Sequence, residues 1–275
     1  MTPFTILGAG GFIGSALVAR LRADERAVRA VTRAELPALL TSGAALGHVV
    51  HCVGLTADFR TRPLATADAH VGLVGKVLGE LNFDSFLLLS STRVYARAES
   101  GREDAALWVQ PEVASDLYNI TKLAGEALCL SDARRTVRVA RLSNVYGPSM
   151  HGDSFLGSVL REGARHRRVL LGQSLRSAKD YVALNDVLSA LIAITERGQA
   201  RLYNVASGVN TSHDAIAGVL AGLGWRIEVS ENAAATRFPR IDVNRLAVEF
   251  DAPGQAILQD LPMLAASLLQ TEALC

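Results

Sequence analysis

Short apolar runs alternate with amphipathic stretches through the first half of the chain. Residues 4–7 form one such run and end at glycines, and over residues 12–21 Ile13, Leu17 and Leu21 recur at helical spacing on one face. The pattern predicts strand, tight turn and helix. Further strands are expected over residues 27–32, 49–53, 86–90 and 137–142, with helices over 71–81 and 118–130 between them. Strands alternating with helices imply an α/β protein, a doubly wound parallel sheet covered on both faces. The segment 33–47 is too short for a helix, a strand and a second helix, so one crossover is expected to be trimmed there. Beyond Pro148 the rhythm changes to helices over 155–165, 184–197, 213–223 and 256–269, separated by short strand-like pieces. The expected division is a sheet lobe over residues 1–148, to which part of 180–210 returns, and a smaller, mostly helical lobe over 149–275. A cleft should form between them.

Composition narrows the partners. The chain has 275 residues with 28 Lys+Arg against 27 Asp+Glu, a formal net charge of +1, so it carries no electrostatic footprint for nucleic acid or an anionic membrane. An apolar share of 49% supports a sizeable core. Cys52, Cys129 and Cys275 are too few and too scattered for a disulfide framework or a metal cluster, so no metal is expected. The first nineteen residues are uncharged, yet they lack a basic leader and are broken by Gly8, Gly10, Gly11 and Gly14. A signal peptide and a membrane span are both disfavoured, and a cytoplasmic location is expected.

Gly8, Gly11 and Gly14 stand at three-residue spacing between a predicted strand and a predicted helix. Glycine there permits a tight turn, close approach of a pyrophosphate and close helix packing, while the helix N-terminus favours the anion. With Phe12 and Ile13 they are the candidate dinucleotide cradle. Cofactor choice is read at the end of the second strand, where an acidic residue would hold the ribose of NAD and an arginine would meet the 2′-phosphate of NADP. Thr32 and Arg33 occupy that place. NADP is favoured and NAD is the alternative, because Arg33 also reads as an ordinary solvated arginine.

Tyr118 and Lys122 lie four residues apart on a predicted helix, which places phenol and ammonium on one face. A free phenol titrates near pH 10, and a neighbouring cation favours its phenolate, so the pair is a candidate acid/base for proton exchange with a sugar or alcohol oxygen during hydride transfer. Ser90, Ser91 and Thr92 follow an apolar strand, at the end where parallel sheets bind ligands. They also read as a polar strand end making local turn bonds.

Taken together, GAGGFIG at residues 8–14, SSTRVY at 90–95, YNITK at 118–122 and RLSNVYGP at 141–148 resemble the extended short-chain dehydrogenase/reductase family, the nucleotide-sugar epimerases and dehydratases. KDYV at 179–182, Asp186 and YNVASG at 203–208 extend the resemblance over nearly the whole chain. It implies a Rossmann-type cofactor lobe and a substrate lobe, with Ser91 as the catalytic hydroxyl and Tyr118 as the acid/base. Lys122 would bind the nicotinamide ribose and lower the tyrosine pKa. Val53, Gly54 and Leu55 would line the cofactor, and Thr92, Asn144, Lys179 and Arg237 the substrate, with Arg240 as a further diphosphate candidate. His70 stands where many relatives carry Asn, and a structural role is the expected one. A homodimer through the helix of Tyr118 and its neighbour is implied as well.

Departures from the family pattern narrow the reaction. Thr92 and Arg93 replace the Asp-Glu pair that follows the catalytic hydroxyl residue in 4,6-dehydratases, so dehydration is disfavoured. Lys179 replaces an arginine that clamps a diphosphate, offering a point charge instead of a planar fork. The leading expectation is an NAD(P)-dependent 4-epimerase or 4-keto reductase of a nucleotide-diphosphate sugar, in a setting such as bacterial surface-polysaccharide synthesis. Two alternatives stay open: an NADPH-dependent reductase of a hydrophobic ketone, and a dinucleotide-sensing protein without turnover.

Overall fold

Each short apolar run of the first half forms a parallel strand, and the amphipathic stretches form helices that cross to the next strand. The computed structural model describes residues 2–55, 58–150 and 154–273. In chain order come β1 (Phe4–Leu7), α1 (Phe12–Ala23), β2 (Val28–Val31), α2 (Leu36–Leu40) and β3 (His48–His51). A helix then starts as α3 (Pro63–Ala67), widens through a π turn at Asp68–Gly72 and continues as α4 (Leu73–Glu80). After β4 (Ser85–Ser91), a 3-10 turn at Thr92–Tyr95, α5 (Asp116–Ser131) and β5 (Val137–Leu142), the chain enters β6 (Asn144–Tyr146) and α6 (Phe155–His166). Next are β7 (Arg168–Leu171), β8 (Ala178–Ala183), α7 (Leu184–Arg197), β9 (Leu202–Val205) and β10 (Asn210–Ser212). The last elements are α8 (His213–Gly222), β11 (Arg226–Val229), α9 (Asn244–Glu249) and α10 (Ile257–Ala273).

Six parallel strands make the central sheet in the order β2-β1-β3-β4-β5-β9. From β1 the chain moves outward to β2 and then returns to the other side of β1 as β3, so the carboxyl ends of β1 and β3 flank a switch point, where such sheets bind ligands. Only the five-residue α2 lies between β2 and β3, and among the described residues no strand stands outside β2. The expected trimmed crossover is present.

Alternation along the strands explains why they read as unbroken apolar runs. Ile6, Val50, Leu87 and Leu89 pack on one face with Leu17 and Leu21 of α1 and Leu191 and Ile194 of α7. Leu7, Val49, Phe86 and Leu88 pack on the other with Val74 and Val77 of α4 and Cys129 of α5. Cys52 and Cys129 are free thiols, and Cys275 lies outside the described residues.

Beyond β5 the chain builds two small sheets, β10-β8-β6 and β11-β7, and β9 carries it back into the central sheet. Leu160 of α6, Trp225 and Leu261 of α10 centre a separate apolar cluster. The carboxylate of Asp180 in β8 joins the two regions, accepting from Ser143 Oγ at 2.5 Å, Ser207 N at 3.0 Å and Oγ at 2.9 Å, and Val209 N at 3.0 Å.

Candidate active site

The turn after β1 needs glycine for two separate reasons. Gly8 has φ +83°, and a Cβ on it would stand 3.0 Å from Cys52 C and Val53 N. A Cβ on Gly14 would run into Gly8 O. The turn therefore packs against the loop carrying Val53, Gly54 and Leu55, with Gly11 N donating to Gly8 O at 3.0 Å. Gly11 caps α1 and makes no side-chain cap hydrogen bond, so the positive end of the helix dipole lies at Phe12 and Ile13. A narrow backbone cradle at a helix N-terminus on the switch point fits a dinucleotide pyrophosphate.

At the end of β2, Thr32 and Arg33 are both exposed. Glu35 is the residue the sequence reading missed: its carboxylate accepts from Thr32 N at 2.8 Å and from Thr32 Oγ1 at 2.7 Å. The Thr-x-x-Glu spacing was the available signal. A carboxylate and a guanidinium thus share the place where cofactor choice is read.

Tyr118 and Lys122 lie one turn apart on the inner face of α5, 6% and 7% exposed. The Ser91 hydroxyl, at the end of β4, is close enough to the Tyr118 phenol to favour its ionised form. Lys122 Nζ donates to Leu89 O at 2.9 Å and stands 5.8 Å from the centroid of the Tyr118 ring. Burial pulls Lys122 down to about 8, against the upward pull of Glu126. Burial raises the Tyr118 pKa, and the opposing influences are Ser91 and the cation of Arg93. The guanidinium carbon of Arg93 lies 5.5 Å from the Tyr118 ring centroid and 5.2 Å from that of Phe59.

His70 braces this wall. Thr121 Oγ1 donates to Leu117 O at 2.9 Å and so accepts from His70 Nδ1, also at 2.9 Å, while His70 Nε2 accepts from Leu55 N at 3.3 Å. That donor pattern requires the neutral ring, and burial next to Lys122 holds its pKa at about 2. The histidine ties the cofactor-side loop to α5. Gly54 leaves room for it: a Cβ there would sit 3.2 Å from His70 Nε2 and 3.4 Å from Lys122 Nζ.

Behind Lys122 runs a buried polar chain that sequence reasoning did not find. Glu126, one turn along α5, accepts from Ser90 Oγ at 2.5 Å and pairs with Arg141 of β5 at 2.6 Å, with both side chains under 5% exposed. Arg141 Nη1 also donates to Tyr95 Oη at 2.7 Å, and Tyr95 Oη donates to Asn204 Oδ1 at 2.8 Å. Arg141 therefore faces the interior, away from any ligand.

The candidate substrate residues are dispersed. Thr92 is buried at the start of the 3-10 turn, and exposed Asn144 donates its amide to Asp180 O at 2.8 Å. Lys179 is half-buried with Nζ 5.1 Å from the Phe155 ring centroid. Arg237 pairs with Ala178 at the start of β8 and, with Arg176, Asn210 and Ser212, rims a cavity of about 500 Å³. Paired residues share a sheet face and successive residues alternate, so Lys179 lies on the opposite face from Ala178 and Arg237. The structure does not bring the two cations to one point. Arg240 Nε donates to Gly208 O at 2.7 Å.

A parallel sheet with a glycine turn at its switch point defines a Rossmann-type dinucleotide-binding protein. Residues 4–206 match the model of the NAD dependent epimerase/dehydratase family, and the chain belongs to that family, an oxidoreductase-type family of enzymes. A dTDP-glucose 4,6-dehydratase from Streptomyces griseus is 29% identical over 153 residues, which are 51% of this chain and 44% of that relative's length. Among solved structures, an NAD dependent NDP-hexosamine 5,6-dehydratase, TunA, involved in tunicamycin biosynthesis, superposes with a TM-score of 0.81 at 19% identity, covering 98% of each chain. RMD from Pseudomonas aeruginosa complexed with NADPH superposes with a TM-score of 0.79 at 22% identity, covering 98% of this chain and 100% of its own. Among the described residues no helix is long and apolar enough to cross a membrane, and no cluster of three or more His, Cys, Asp and Glu side chains is placed to hold a metal.

Proposed function

We propose that the protein moves a hydride at a carbinol or ketone carbon of a nucleotide-diphosphate sugar, as a 4-epimerase or a 4-keto reductase. The observation that carries this reading is the convergence of Ser91, Tyr118 and Lys122 beside the loop of Val53, Gly54 and Leu55 that packs on the glycine turn. A bound nicotinamide dinucleotide supplies the hydride acceptor or donor. Gly8, Gly11, Phe12, Ile13 and Gly14 hold its pyrophosphate, Thr32 and Arg33 its adenosine end, and Lys122 its nicotinamide ribose. Tyr118 takes the hydroxyl proton as the hydride leaves the substrate carbon, or returns it in the reverse direction, while Ser91 holds the reacting oxygen. Thr92 and Arg93 offer no carboxyl acid for a leaving hydroxyl, so dehydration is not part of the proposal.

Arg33 supports NADP, and the carboxylate of Glu35 beside Thr32 supports NAD as the second reading. The polar rim of the second-lobe cavity, with Arg176, Asn210, Asp214 and Arg237, suits a nucleotide better than a hydrophobic ketone. A homodimer through the outer faces of α4 and α5, where Leu128 and Leu130 are exposed, completes the proposal.

The test is Tyr118→Phe. Turnover of a nucleotide sugar should fall at least about a hundredfold, while dinucleotide affinity stays within about threefold. Unchanged turnover would overturn the mechanism. Chromatography of dinucleotide released on denaturing fresh protein separates the finer readings: tightly retained cofactor fits an epimerase, and an empty protein preferring NADPH fits a reductase.

A further inference from the structure

We propose that Arg93 is a subsite for a carboxylate carried by the sugar next to its reacting carbon, so that the substrate is a nucleotide-diphosphate uronate. The proposal rests on the hydride-transfer reading above and adds the charge of the substrate to it.

Position comes first. Arg93 enters from the 3-10 turn directly after Ser91, and its guanidinium lies over the Tyr118 and Phe59 rings. The guanidinium thus stands beside the ring whose phenol would meet the reacting sugar carbon. A diphosphate, one sugar ring further off, is served instead by Lys179 on β8.

Unused bonding capacity comes second. Arg93 is half-buried, yet among the described residues only Nη2 of its planar fork finds an acceptor, Ser115 O at a long 3.4 Å. No carboxylate among the described side chains pairs with it. Asp116, the neighbouring acid, is taken by Arg97, by Gln110 N at 2.8 Å and by Asn119 Nδ2 at 3.4 Å. A half-buried guanidinium whose open donors face solvent is matched by a planar, bidentate anion, and a carboxylate has that shape.

The surrounding field comes third. Arg60 stacks on the same Phe59 ring, 4.4 Å from its centroid, and among the described residues Lys179 carries no ion pair. Burial, then Arg60, pull the Arg93 pKa down, and burial, then Arg93, pull down that of Lys179. Among the described residues Arg60, Arg93 and Lys179 thus bring positive charge to this side of the site, which one diphosphate and one carboxylate would neutralise.

The test uses the full chain with UDP-glucuronic acid and UDP-glucose, which share a nucleotide and differ in the charge at one carbon. Binding and kcat/KM are measured for wild type, Arg93→Met and Arg93→Lys. Wild type should prefer the uronate at least about tenfold, and Arg93→Met should collapse that preference about 10- to 100-fold, with partial recovery in Arg93→Lys because a lysine keeps the charge without the fork. A wild type that prefers the neutral sugar, or an Arg93→Met variant that weakens both sugars equally, would overturn the proposal and leave Arg93 as a seat for the Tyr118 ring. Binding of neither sugar would overturn the hydride-transfer reading itself, and this proposal with it. Should Arg93→Met fail to fold, the wild-type preference and Arg93→Lys decide the matter.

Discussion

Replacing Lys122 by methionine should make the protein more stable at neutral pH while removing its activity. The side chain is 7% exposed, and burial brings its pKa from 10.5 to about 8. At about 1.4 kcal/mol per unit, holding that ammonium charged costs the native state about 3 kcal/mol. The sign follows from proton counts. Below pH 8 both folded and unfolded chains bind the proton and the full cost is felt. Between pH 8 and 10.5 the folded chain has released it and the unfolded chain has not, so stability recovers as the pH rises. Methionine fills much the same space without a charge, but it leaves Leu89 O without its donor, a loss of about 1 kcal/mol. The net gain of about 2 kcal/mol corresponds to a rise in Tm of about 4–8 °C for a chain of this size. Thermal unfolding of wild type and variant in parallel, from pH 6.5 to 10, should show the largest gap at the acid end and a gap that closes with rising pH. A variant less stable at pH 7, or a gap independent of pH, would refute the reasoning.

Three further perturbations probe the same architecture. Glu126→Leu strands Arg141 in the interior and should cost about 3–5 kcal/mol, a fall in Tm on the order of 10 °C by calorimetry; an unchanged midpoint would mean the pair is not sealed from water. Gly14→Ala forces a Cβ against Gly8 O and should weaken dinucleotide binding about 10- to 100-fold in a fluorescence titration, through strain at the turn. The ring protons of His70 should hold constant NMR shifts from pH 8 to pH 5, because a pKa of about 2 keeps the imidazole neutral throughout; a midpoint above pH 5 would break the assigned bonding to Leu55 and Thr121.

The fold was legible where the residue pattern repeats. Alternating apolar runs located the strands because each is buried on both faces, and the short 33–47 segment betrayed its missing crossover by length alone. Tyr118 and Lys122 were legible because four-residue spacing on a helix needs no tertiary information. What escaped depends on contacts between distant elements. Glu126 meets Arg141 only once α5 packs on β5, and no local pattern marks a charged pair destined for the interior. Arg93 was noticed as a departure, but its place over Tyr118 follows from the 3-10 turn after β4. Lys179 and Arg237 both looked like diphosphate ligands, and only strand register shows that they face opposite ways.

Losing a crossover also changes how the molecule meets its own copies. With no strand beyond β2 among the described residues, one row of that strand's backbone donors and acceptors faces outward, and open strand edges are templates on which other chains can add. This edge is a poor template: it is four residues long, Arg29 is exposed at its middle, and Arg26 and Arg33 bracket it. A second copy docking there would have to bring the exposed Arg29 and Arg33 against their counterparts, while Arg26 is already paired with Glu196. The shortened sheet thus guards its open edge with charge, where an added strand would guard it by cover.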